Sequence, residues 1–356
     1  MTSDSAPPGD GGEHPTPSSS TKPGHAVTLR EVAEAAGVSV ATVSLVINNK
    51  KGARIGGETR RRVKEAIAEL GYRPNVLAKS LVSGSSRFIG LVADAIATTP
   101  FAGQIIRGAQ EEAWKHGYVL LVANTEGIQE ATDDAIHMMI DHQAIGILYS
   151  TWYHRDVTVP AALNGMPTVF VNCVAQAPGT LSVVPDEVQG GHAATTLLLE
   201  AGHRRIAFLN ADEDAPSPAG RLEGYRTALS EYGVEFDPSL VVPVLPEQEG
   251  GYAATSAVLD RDVRPTAVFC YNDRVAMGLY DGVKERGLRI PEDLAIVGFD
   301  DQEVIAGHLR PKLSSIALPH YALGVEGVRA LLKRIEDGAA EGVELVECPP
   351  VLRASV

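Results

Sequence analysis

"VTLREVAEAAGVSVATVSLVINN", residues 27 to 49, is the stretch from which the rest of this chain can be read. Leu29, Val32, Ala33 and Ala36 recur at i, i+3, i+4 and i+7, so they share one face of a helix that Thr28 can cap and Gly37 ends. Ser39 can cap a second helix, on which Val43, Val46 and Ile47 lie together. The turn "AGVS" between them is as short as a helix-turn-helix requires. Val63, Ala66, Ile67 and Leu70 repeat the spacing in a third helix ended by Gly71. Three short helices, each with one apolar stripe, predict one small core. On the second helix that core takes Val43, Val46 and Ile47, which leaves Val40, Ala41, Ser44 and Leu45 facing outward.

Upstream, residues 1–25 are rich in Pro, Gly and Ser and nearly devoid of large apolar groups, so they are expected to form a disordered tail. Downstream, "YRPNVLAKSLVSGSSR" places Pro74 where the third helix cannot continue. Val76 to Val82 is long enough for only one short helix, marginal in water without a partner. The expected division is a helical head at 26–72, a hinge at 73–87 and a body at 88–356.

The net charge of −14 conceals an uneven distribution. Residues 22–87 carry 12 Lys and Arg against 5 Asp and Glu, whereas residues 88–356 carry 19 against 37. A basic head on an acidic body fits a nucleic-acid partner for the head alone. Cys173, Cys270 and Cys348 are odd in number and far apart, which points to buried thiols, not a disulfide framework or zinc site. No apolar run approaches the roughly 20 residues of a membrane span, and the N-terminus lacks the pattern of an export signal, so a cytoplasmic location is expected.

After Arg87 the apolar runs "FIGLVA", "YVLLVA", "IGILY", "PTVFV", "RIAFL", "TAVFCY" and "LAIVGF" have strand length. Helical stretches at 102–116, 128–142, 188–201, 219–232 and 273–286 alternate with most of them, the pattern of parallel sheets covered by helices on both faces. About 270 residues of this kind suit two lobes, here expected at 88–185 with 319–345 and at 186–318 with 346–356. A ligand would then bind at the carboxyl ends of the strands, between the lobes. Polar residues at such strand ends are Arg221, Asn272, Asp273, Asp300 and Asp301. An arginine fork and a carboxylate together grip hydroxyls or a carboxylate. No H-E-x-x-H, G-x-S-x-G, P-loop or G-x-G-x-x-G pattern is present, so no catalytic residue, cofactor or metal is expected.

The stretches "VTLREVAEAAGVSVATVSLVINN", "ETRRRVKEAIAELGYRPNVLAKSL", "RLEGYRTAL", "TAVFCYNDRVAMG" and "IPEDLAIVGFDD" resemble the lactose-repressor (LacI/GalR) family of transcription regulators. The resemblance implies a helix-turn-helix head and hinge helix followed by a body like a periplasmic sugar-binding protein, in a homodimer on a pseudo-palindromic operator. It implies base reading by Val40, Ala41 and Leu45, and phosphate contacts from Thr28, Ser39, Ser44, Asn48, Tyr72 and Asn75, with Leu29 and Ala78 also at the DNA. Apolar side chains at Val40 and Leu45 suit thymine methyl groups. Leu81 would wedge into a minor-groove base step and kink the duplex. Leu45 departs from the basic residue of many relatives, and "NNKKGARIGGET" looks about two residues longer than the shorter family pattern, with Lys50, Lys51 and Arg54 able to track phosphates.

In the body the resemblance places Arg221, Asn272 and Asp300 against a small effector, with Phe101 and Trp152 on the opposite lobe and Tyr252 as an apolar wall. Ala317 and Leu318 stand where relatives often carry a polar residue, which implies a less polar effector surface or a different ligand. The expected function is a repressor controlled by a small effector such as a sugar. A regulator controlled by a protein partner is the alternative, and a free sugar-binding receptor is a further one that the head and the missing export signal oppose. Without an appended heptad helix, a dimer and not a tetramer is expected.

Overall fold

A computed structural model describes residues 27–47, 55–72, 87–97, 99, 102–338 and 340–356. They fall into two units, one within residues 1–83 and the other within 84–356. The N-terminal tail, Asn48, Lys50, Lys51, Arg54, Asn75, Ala78, Leu81 and Phe101 lie outside the described residues.

The first unit is built on three helices, α1 (Leu29–Ala36), α2 (Val40–Ile47) and α3 (Gly57–Leu70). The start of α1 is fixed by a reciprocal cap: the Thr28 hydroxyl accepts from the Glu31 N–H at 3.3 Å, and the Glu31 carboxylate accepts from the Thr28 N–H at 2.6 Å. Gly37 ends α1 at φ 63°, a left-handed conformation that glycine adopts without a Cβ penalty. The Ser39 hydroxyl accepts from the Thr42 N–H at 3.2 Å and so caps α2. Val32, Ala33, Ala36, Val43, Val46, Val63 and Ala66 close the core. Leu70 departs from its expected place and is 37% exposed. Helix α3 has 14 residues against 8 in each of its neighbours, so its last turn runs past the core they supply. Tyr72, after the turn at Gly71, packs against the cluster instead.

The second unit holds two six-stranded sheets. The first runs, in spatial order, 342–346, 181–185, 168–175, 147–157, 88–93 and 119–124, with every neighbouring pair parallel. The second runs 350–351, 314–317, 295–300, 267–270, 206–211 and 241–244, parallel except where 350–351 meets 314–317. The chain therefore passes between sheets three times, after residues 185, 317 and 346. Each sheet is packed on two sides, with two apolar clusters around the first and two around the second. Each of the seven apolar runs supplies a strand, and that of "IGILY" starts at Ile147 and continues to Val157.

Helix His320–Asp337 went unrecognised in the sequence because Gly324 and Gly327 dilute its apolar stripe. One of those glycines is required. Added to Gly324, a Cβ would stand 2.1 Å from the Ile105 carbonyl oxygen, and one on Gly108 would stand 2.0 Å from that of Tyr321. Two helices thus cross backbone to backbone beside the first sheet, which brings the first turn of the later helix, and His320 with it, to the rim between the sheets.

Candidate functional site

In the first unit the outward face of α2 is formed as its spacing predicts. Val40 is 44% exposed and Ala41 is exposed, while Ser44 and Leu45 are half-buried. Thr28 and Ser39 commit their hydroxyls to helix caps, and Leu29 packs against the core cluster. Half-buried Arg60 and exposed Arg61 and Lys64 line a shallow surface on α3. A short helix that offers an apolar face at its N-terminal end and is flanked by basic residues suits insertion into a groove of nucleic acid.

In the second unit a cavity of about 160 Å³ lies between the sheets, at the carboxyl ends of their strands. The first sheet reaches it through an irregularity. Strand 147–157 pairs Ser150 with Val171 and next Arg155 with Cys173, so residues 151–154 bulge out opposite Asn172 alone. Asn172 sits at φ 59°, and its side-chain amide donates to the Thr151 carbonyl at 3.0 Å while Thr151 Oγ1 donates to the Asn172 carbonyl at 2.8 Å. A bulge of this kind re-aims side chains, and here it delivers Trp152, Tyr153 and His154 to the cavity.

The second sheet contributes charge. Arg221, 3% exposed, donates from Nε to Glu187 at 2.8 Å and from Nη1 to the Tyr271 carbonyl, with Asp300 at 4.0 Å. Its guanidinium lies 3.6 Å from the centre of the Phe299 ring and 4.4 Å from that of Tyr271, contacts in which a cation meets the negative face of an aromatic ring. Glu187 in turn meets His154 Nδ1 at 3.3 Å. Burial alone would raise the Glu187 carboxyl, but the Arg221 charge and His154 hold it below its ordinary value. At Asp300 burial wins over the attraction of Arg221 and pushes the carboxyl up to about 6. Burial pushes the His320 imidazole down to about 4. Asp300 is also held at φ 100°, a region that non-glycine residues rarely occupy and that surrounding structure must enforce.

Of the expected effector contacts, the structure brings Trp152, Arg221, Asn272 and Asp300 together around the cavity. Asn272 is part of the framework: its amide oxygen accepts from the Val275 N–H at 2.8 Å and its nitrogen donates to the Pro246 carbonyl at 2.9 Å. Tyr252 is not at the cavity. It is 47% exposed, and its hydroxyl bonds Glu285 at 2.7 Å, because helix Gln248–Ala253 turns that side of the chain outward. Asp301 faces Arg353 at 2.7 Å, and Asp273 is buried beneath the site, accepting from Ser315 and the Gln302 N–H at 2.6 Å. Leu318 lines the cavity and gives it an apolar wall, while Ala317 lines the adjoining compartment. A second compartment of about 720 Å³ adjoins it through Arg274, Asp300, Leu318 and His320.

Sequence reasoning missed His154, Glu187, Asn172 and His320. Glu187 follows a strand end as Asp300 does, but the strand itself, Leu181–Pro185, went unrecognised. His154 lies in the bulge, and bulges leave no periodic signal. Among the described residues no helix is long and apolar enough to cross a membrane, and no cluster of three or more His, Cys, Asp or Glu is placed to hold a metal.

Comparison with known proteins finds likeness over both units. The profile of bacterial regulatory proteins of the lacI family matches residues 28–75, and that of the periplasmic binding protein-like domain matches residues 195–356. The HTH-type transcriptional repressor PurR of Vibrio atlanticus is 33% identical over 314 residues, 87% of this chain and 92% of the relative. The ribose operon repressor of Haemophilus influenzae is 33% identical over 333 residues, 92% of this chain and 98% of its own. Among solved structures, the lac repressor dimer bound to operator and the anti-inducer ONPF has a TM-score of 0.78 and 27% identity, spanning 93% of this chain and 99% of that one. The transcriptional regulator CelR in complex with cellobiose has a TM-score of 0.64 and 32% identity, spanning 93% and 100%.

Proposed function

Because this chain belongs to the lacI family of bacterial regulatory proteins, we propose that it is a cytoplasmic transcriptional repressor. Its head binds operator DNA, and a small effector held in the body sets the affinity of that binding. The observation that carries the effector half is the cavity between the sheets, walled by Trp152 and Leu318 and floored by the buried Arg221, Glu187 and Asp300. Buried charges that converge on a cleft are placed to orient a bound molecule. The relatives are repressors, which supports a binding role and not a catalytic one for these groups.

On the DNA side, Val40, Ala41 and Leu45 read base edges by contact with thymine methyls. Thr28, Ser39, Ser44, Asn48, Tyr72 and Asn75 hold phosphates, Leu29 and Ala78 complete the contact, and Leu81 wedges the operator centre. Two chains pair on a pseudo-palindromic operator, as two-fold symmetry requires. Effector binding shifts one lobe, 88–185 with 319–345, against the other, 186–318 with 346–356, and so alters the spacing of the hinges. Footprinting of purified protein on its own genomic DNA checks the first half: protected sites should be pseudo-palindromes, and binding should weaken steeply with salt. Protection without any dyad symmetry would defeat the operator reading.

A further inference from the structure

Resting on the effector reading above, we propose that the cavity selects a neutral, hydroxyl-bearing ring over phosphorylated or carboxylated molecules, and that His154 is the specificity-determining acceptor. Each guanidinium at the wall already faces a carboxylate. Arg221 meets Glu187 at 2.8 Å with Asp300 at 4.0 Å, and Arg274 meets both oxygens of Glu247 at 2.7 and 2.8 Å. Glu187 and Asp300 stand against Arg221, Glu247 already offsets Arg274, and the exposed Glu213 adds negative charge at the wall, so an entering anion would meet more negative charge than positive.

Several hydrogen-bonding groups at the wall are already engaged. Ser217 and Tyr271 bond each other at 2.9 Å, and the Asn272 amide is engaged at both ends. His154 is different. A carboxylate only accepts, so the Nδ1 that meets Glu187 at 3.3 Å must carry the hydrogen, and in the neutral ring Nε2 is then left with a lone pair. His154 lines the cavity, is 8% exposed, and its Nε2 is buried without a hydrogen-bond partner. A buried acceptor in that state is answered by a ligand O–H or N–H. Asp300 offers a second acceptor nearby, while Trp152 and Leu318 offer faces for the apolar side of a ring. The volume also limits the ligand: a cavity near 150 Å³ admits a single six-membered ring, close to the 160 Å³ here. A second ring would extend past Asp300 and His320 into the adjoining compartment.

The full-length protein is titrated with D-ribose, D-glucose, cellobiose and guanosine, and with ribose 5-phosphate, glucose 6-phosphate, cellobionate and guanosine monophosphate, by thermal shift and calorimetry. At least one neutral compound is expected to raise Tm and to bind at least tenfold more tightly than its charged counterpart. A charged compound that binds as tightly as its neutral counterpart, or more tightly, overturns the selectivity while leaving the effector reading intact. No shift from any of the eight counts against the effector reading itself. The bound sugar or nucleoside is then compared with its monodeoxy derivatives in wild type and His154→Ala. One hydroxyl whose loss weakens wild-type binding about tenfold should matter less than twofold in the variant. Equal losses in both proteins at every position overturn the role of His154. His154→Gln, which restores an acceptor, is expected to recover part of that tenfold and to separate recognition from folding.

Discussion

The two units handle polar groups in opposite ways. The head buries only Val and Ala in its centre and keeps its polar groups at the rim, where caps such as Thr28 and Ser39 bind them locally. The body buries Arg221, Glu187 and Asp273, each dependent on partners far away in sequence. Local polar bonding leaves the head's surface free to meet a large charged partner with little desolvation. Buried polar bonding makes the body's cavity a place where a small molecule changes many interactions together. Both tryptophans, Trp114 and Trp152, lie in the body, so their fluorescence reports its unfolding and not that of the head.

The sharpest break in that contrast comes from Glu187→Ala. The substitution leaves the guanidinium of Arg221 in an apolar setting, between the Phe299 and Tyr271 rings, without its principal counter-charge. Removing one partner of a buried ion pair costs about 3–5 kcal/mol. The tryptophan-monitored urea midpoint should fall accordingly, while amide-exchange protection in α1 and α2 stays as it was. A loss below about 1 kcal/mol would mean that Glu187 is solvated in solution and that the cluster is not a buried network.

Asp300 gives a smaller effect with a defined pH window. Its folded-state carboxyl is raised from 3.8 to about 6, so between those values the unfolded chain has released a proton that the folded chain retains. The stability it contributes is complete below about pH 4 and is lost as pH rises through 6. At about 1.4 kcal/mol per unit, the loss is of order 2–3 kcal/mol. Asp273, also raised by burial, acts in the same sense, whereas Glu187, held low, contributes stability that is lost as pH falls. Asp300→Asn should therefore gain on wild type between pH 4 and pH 7 in the absence of ligand, measured by urea unfolding at each pH. Parallel curves for the two proteins would show that Asp300 does not titrate in this window.

The same contrast explains what could be read from the chain. Local signals, a cap residue, a period of 3.6 and a glycine stop, are sufficient for α1 to α3, and every one of them sits within a few residues of what it controls. In the body the continuous apolar runs marked strands, but Leu181–Pro185 is interrupted by Ser182 and Pro185, and Val241–Val244 and Gly342–Val346 are short edge strands. Arg221 and Asp300 lie at a recognisable motif or strand end, whereas Trp152, inside a strand, was implied only by the family resemblance. His154 depends on a bulge set by a cross-strand exchange with Asn172, and its partner Glu187 lies 33 residues away, a pairing that no local pattern encodes.

The smallest expected effect tests the head's side of the contrast. Thr28→Ala removes the hydroxyl that accepts from the Glu31 N–H and frees the Glu31 carboxylate, which also accepts from the Thr28 hydroxyl at 2.8 Å. Loss of an N-cap side chain costs about 1 kcal/mol. With only eight residues, α1 has few other bonds over which to spread the loss. Amide exchange along Val32 to Ala36 should quicken about fivefold, as about 1 kcal/mol requires, while the tryptophan-monitored midpoint of the body stays fixed. Thr28→Ser retains the acceptor and should exchange as wild type does. If the serine variant quickened as much as the alanine one, the Thr28 methyl and not its oxygen would be holding the helix start, and the head too would depend on packing rather than on its caps.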